Sequence, residues 1–116
     1  MQEATQISEQ ILKNEGAILA DEIYDMAKNL PGQKISELAI RLRLSVVSLN
    51  MYLDTCFQCK NKMDRIRAWI KVSVALKECR DTLALIAKYR YANTSNVMTL
   101  VDNMSQMLNY SRQNLN

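Results

Sequence analysis

Histidine is absent from this 116-residue sequence, proline occurs once and glycine twice. The missing histidine removes the side chain most often used as a general base near neutral pH. No Ser-centred elbow, Gly-rich phosphate loop or paired-carboxylate motif takes its place, so catalysis is not expected. The scarcity of glycine and proline argues against a sheet protein and a disordered tail, and favours long helices joined by short turns. The chain also lacks a signal-peptide pattern and an uninterrupted apolar run of spanning length. A cytoplasmic protein that does not enter a membrane is therefore expected.

Cysteine is scarce and odd in number, at Cys56, Cys59 and Cys79. The spacing of Cys56-Phe57-Gln58-Cys59 can serve a zinc site or a redox pair. A zinc site needs four ligands and normally a second such pair, and a thioredoxin-like pair needs a βαβ context. With neither present, the cysteines read as reduced thiols at a helix end, with no metal and no cofactor. Aromatics are few, and Tyr52, Trp69, Tyr89 and Tyr91 form no obvious base-stacking platform.

What the chain does have is apolar spacing. Hydrophobic residues make up 48% of the sequence, enough for one domain over residues 1–116 to bury a core without disulfides or metal. The stretch Lys62 to Tyr91 holds no Gly or Pro, and would span about 45 Å as one helix. Within it Trp69, Val72, Leu76, Cys79, Leu83 and Ile86 recur at steps of three and four, one buried helical stripe. Upstream, Leu12, Leu19, Ile23, Met26 and Leu30 supply a first stripe, with Ile7, Ile11 and Ile18 widening it. Gly16 sits inside that helix, either a cost to it or a place where a neighbour approaches closely. Leu30-Pro31-Gly32 closes it. Next, Ile35, Leu38, Leu42, Val46, Leu49, Leu53 and Cys56 mark a second helix. After Asn93-Thr94-Ser95-Asn96, which supplies caps and a turn, Val97, Leu100, Val101, Met104, Met107 and Leu108 mark a fourth. Most of the seven methionines fall at core spacing and read as core filler. The helices predicted are about residues 4–29, 34–58, 62–91 and 95–112. Together they make an all-α, up-down-up-down antiparallel four-helix bundle.

Helices two and three are apolar on a second side. Ile40, Leu44, Val47 and Met51 lie opposite the inward stripe of helix two, and Met63, Ile66, Ile70 and Val74 lie away from that of helix three. These residues either cover each other within a monomer or pack on another subunit. A four-helix bundle has no central position, so the second is the expectation and these eight residues are the candidate homo-oligomer interface.

Charge is also distributed unevenly. Residues 1–25 carry six acids against Lys13, whereas residues 26–90 carry thirteen bases against five acids. Either the basic face suits a polyanion, or the acidic first helix and basic second and third helices lie side by side and pair across the bundle. Arg41, Arg43, Arg67, Lys71, Lys77, Arg80 and Lys88 are the candidate nucleic-acid contacts, acting on phosphates with little sequence preference. The competing partner for the same face is an acidic protein.

The chain resembles a known group over about residues 17–110. The residues that carry the likeness are Ile23-Tyr24 with Ala27-Lys28 and Leu30-Pro31, then Leu38, Arg41 and Arg43 through Ser45-Val46-Val47-Ser48. It continues in Arg67-Ala68-Trp69, in Ala75-Leu76 with Glu78-Cys79-Arg80, and in Leu83-Ala84-Leu85. These are similar to the small four-helix-bundle proteins encoded in intervening sequences of bacterial large-subunit ribosomal RNA genes. Their relative is the accessory variability determinant of diversity-generating retroelements. The Asn-Ile-Ala-Glu-Gly-like run usual in the first branch is replaced here by Leu49-Asn50-Met51-Tyr52-Leu53-Asp54, so the chain looks more like the second. The resemblance implies a homopentameric, positively charged barrel without catalytic activity. It implies binding to RNA or DNA and to a reverse transcriptase, supporting copying of a template RNA into cDNA.

Overall fold

The structure is a computed structural model that describes the backbone of residues 2–28, 30, 33–89 and 92–113, and side chains there except 2–8, 33–36 and 111–113. Four helices follow one another: α1 (Gln2–Lys28), α2 (Gln33–Gln58), α3 (Lys62–Lys88) and α4 (Ser95–Gln113). Each packs on its neighbours round the ring, α4 closing back onto α1, while α1 and α3 lie on a diagonal. This is the expected up-down-up-down bundle, and the described residues contain no strand.

Local chemistry sets the turns. Cys59 N–H closes the last turn of α2 by donating to the Thr55 carbonyl at 3.0 Å. Two residues later the Asn61 side chain accepts from Met63 N–H at 2.8 Å, capping α3. Arg65 reaches back from the first turn of α3 and donates to the Cys59 carbonyl at 2.9 Å, satisfying a group the helix end leaves open. At the other end, Asn93 Oδ1 accepts from Ser95 N–H at 3.1 Å and starts α4.

The core is one cluster built from the predicted stripes. Leu12, Leu19 and Ile23 meet Leu42, Leu49 and Leu53, and these meet Val72, Cys79, Leu83, Ile86, Val101 and Met104, all buried. Burying a side chain of this size contributes roughly 1.5–3 kcal/mol, so the core outweighs the exposed ion pairs many times over.

Several expectations need correction. Helix α3 ends at Lys88 and not at residue 91; Tyr89, with ψ near 4°, is its cap. Ile86 is the last buried side chain of α3, and Ala87, Lys88 and Tyr89 after it are exposed. Ile11 and Ile18 do not widen the first stripe, being 43% and 45% exposed. Each stands about 100° round the axis from Leu12 or Leu19, which carries it past the edge of the core. The methionines hold to their spacing: among the described ones Met104 is fully enclosed, Met26, Met98 and Met107 pack against the core, and Met51 and Met63 of the outer stripes are exposed. The side chains of Ile7 and Ile35, and all of Pro31, Gly32, Arg90 and Tyr91, lie outside the described residues.

Gly16 is a close-approach position. Asn50 of α2 donates to the Gly16 carbonyl at 3.2 Å, and its Oδ1 occupies the space a Cβ on Gly16 would need. Alanine there would gain about 1 kcal/mol of helix propensity. It would also displace the Asn50 amide and break its hydrogen bond, costing about 1–3 kcal/mol. Gly16→Ala is therefore expected to destabilise the native chain, and to stabilise an Asn50→Ala background by about 1 kcal/mol. Urea unfolding of the four proteins reads this reversal; the same sign in both backgrounds would refute the steric coupling.

Candidate nucleic-acid interface

The seven candidate cations do not form one patch. Arg41 and Arg43, two residues apart, stand about 200° apart on α2 and leave on opposite flanks. Arg41 turns to α3 and meets Glu78 at 3.8 Å. Arg43 turns to α1, where its guanidinium carbon lies 4.4 Å from the centre of the Tyr24 ring. On α3, Arg67 pairs with Asp64 of its own helix at 3.8 Å, and Arg80 pairs with Asp102 of α4 at 3.5 Å. Lys71 leans over the Tyr52 ring at 5.5 Å and Lys88 over Tyr89 at 5.7 Å. Lys77 is exposed, seven residues and two turns along the outer ridge from Ile70.

Between α2 and α3 runs a groove of about 420 Å³. The Arg41–Glu78 pair stands at one end and Lys71 on Tyr52 at the other, with Leu44, Val74 and Ala75 between them. Ser45 lines the same wall and donates its hydroxyl to the Arg41 carbonyl at 2.8 Å, so its oxygen is turned toward its own helix. A phosphate reaching this groove would meet a guanidinium already facing a carboxylate. That pairing is weak, since both side chains are 53% exposed and exposed pairs contribute only about 0–1 kcal/mol. A guanidinium with five N–H groups also keeps donors free for a second anion.

Seven of the eight candidate assembly residues are exposed. Ile40, Leu44, Val47 and Met51 are 54–61% exposed, and Met63, Ile70 and Val74 are 56–59% exposed. Ile66 is half-buried. Leu44 and Val74 line the same groove, so the stripes of α2 and α3 meet as one apolar surface. Along α3 the two roles overlap at first, with Arg67 and Lys71 among the apolar positions, and separate beyond Val74. The apolar residues occupy positions 63–74, while Lys77, Arg80 and Lys88 follow toward the C-terminal end.

Of the two basic helices α2 alone adjoins the acidic α1, and among the described residues an ion pair between them runs from Lys13 of α1 to Asp54 of α2 at 3.7 Å, opposite in sense to the net charges. Sequence reasoning also passed over Tyr24 and Lys28. Their spacing of four placed them on one face of α1, but nothing in the sequence put Arg43 beside them.

The cysteines have a structural setting. Cys56 donates to the Arg65 carbonyl at 3.7 Å, and all three thiols are free. Burial pushes the Cys56 thiol up to about 11 and the Cys79 thiol up to about 12, so both are protonated at neutral pH. A protonated thiol is a poor nucleophile and a poor metal ligand. The described residues hold no group of three or more His, Cys, Asp or Glu placed to bind a metal ion, and no helix among them is long and apolar enough to cross a membrane.

Compared with known proteins, the chain matches no family model and no curated protein.

Proposed function

We propose that the chain is a non-catalytic, homo-oligomeric accessory protein that binds nucleic acid and works in the cytoplasm. The reverse transcriptase of a diversity-generating retroelement, copying template RNA into cDNA, is the partner its motif resemblance suggests. One observation carries the reading: the outward face of α2 and α3 joins an exposed apolar stripe to exposed cations. The stripe supplies a surface for assembly, with a pentamer suggested by the resemblance alone. The cations supply phosphate contacts, each weak, which repetition round an assembly multiplies. Arg67 and Arg80, with side chains 72% and 57% exposed, can exchange a carboxylate for a phosphate at little cost.

The wild-type protein tests this directly. Its affinity for a polynucleotide should fall steeply as salt rises, with a log–log slope of about 0.7–0.9 for each phosphate contacted. Absence of binding at low salt would move the basic face to the competing reading, an acidic protein partner. That reading also has an observation behind it, because Arg41, Arg67 and Arg80 all pair with carboxylates in this structure.

A further inference from the structure

Arg43 differs from the other arginines of the candidate face. Arg41, Arg67 and Arg80 each meet a carboxylate, whereas among the described residues none pairs with Arg43. Its Nε is buried and makes no hydrogen bond. Its guanidinium carbon lies 4.4 Å from the Tyr24 ring centre. From the next turn of α1, the Lys28 ammonium reaches over the same ring at 5.7 Å, and it meets Asp25 only at 4.0 Å. Tyr24 stays 53% exposed despite both neighbours. Two cations thus converge on one open tyrosine at the seam of α1 and α2.

We propose that Tyr24, Arg43 and Lys28 form a stacking site for an unpaired base of single-stranded nucleic acid, with the two cations holding its flanking phosphates. This rests on the nucleic-acid reading above and adds which form of nucleic acid is preferred, and where a base sits. An exposed aromatic ring among cations is the combination that single-strand binders use, because every base has a π-face that a duplex conceals. The Lys28 ammonium lies near the outer limit of a useful cation–ring contact, about 6 Å. An arriving base takes its place on the ring, and the ammonium moves to the adjoining phosphate. Arg43 is held more closely and remains on the ring, where its N–H groups hold the other flanking phosphate. A strand that continues over α2, about 10 Å wide, passes from Arg43 on one flank to Arg41 on the other and then to Lys77.

The test compares a labelled single strand of about 15 nucleotides with a duplex of the same length, at fixed low salt. Tyr24→Ala should weaken single-strand binding about tenfold to hundredfold and leave duplex binding unchanged. Tyr24→Phe should bind both as the wild type does, and Tyr24→Trp at least as tightly. The exposed position makes the fold insensitive to these changes, and the helical spectrum and unfolding midpoint check it. If Tyr24→Ala leaves single-strand binding intact, or lowers both forms equally, the stacking site is overturned while the nucleic-acid reading stands. If the wild type binds neither form, the nucleic-acid reading fails and this site with it.

Discussion

Replacing Arg67, Lys71, Lys77 and Arg80 together with Glu is expected to abolish polynucleotide binding. The change reverses four charges and takes the net charge of the chain from +3 to −5. Four lost phosphate contacts per subunit would lower the salt slope by roughly three, before any repulsion between the new carboxylates and the strand. The fold should survive. All four residues are exposed, and the ion pairs that turn repulsive, Arg67 with Asp64 and Arg80 with Asp102, are themselves open to solvent. Each such pair contributes about 0–1 kcal/mol, against a total stability of about 5–15 kcal/mol for a domain of this kind. A matching Gln variant separates loss of attraction from added repulsion, and should retain weak binding at low salt. The measurement is affinity across a salt series, with helical content and assembly mass checked in parallel. A Glu variant that binds as the wild type does would assign these residues to a protein partner or to the fold.

The bundle was legible because helical spacing encodes burial directly. Leu42, Leu49, Val72, Leu83 and Met104 are all buried where their periodicity put them, and Val47 and Ile70 are exposed for the same reason. Periodicity gives a residue's angle about its own axis, but not which neighbour occupies that angle. Arg41 and Arg43 show the difference. Both were assigned to the basic face, yet one meets Glu78 of α3 and the other Tyr24 of α1. For Gly16 a cost to the helix and a close approach both stood open, because its partner Asn50 lies on the next helix and leaves no mark on the spacing of either. Ile11 and Ile18 failed for a simpler reason. A stripe's width depends on how far the adjoining helix reaches round, and that is set by the packing of the bundle.

Changing Val47 and Ile70 together to Asp should break the assembly while leaving the bundle folded. The two side chains are 55% and 56% exposed in the single chain, so Asp there meets water and costs only the helix propensity, about 0.7 kcal/mol or less per site. In an interface the same carboxylates would be buried without partners, at several kcal/mol each, enough to exceed the stability of a micromolar contact. Light scattering should therefore fall from a multiple of 13.3 kDa to 13.3 kDa, with the helical spectrum unchanged. A wild-type monomer at micromolar concentration, or a variant of unaltered mass, would contradict the assembly. The double change touches no cation, so it also tests how the proposed binding works. If affinity comes from repeating weak phosphate contacts round a ring, dissociation should weaken polynucleotide binding about a hundredfold or more. Dissociation without loss of affinity would place the whole nucleic-acid site on the single bundle. The apolar stripe would then serve some purpose other than multiplying those contacts.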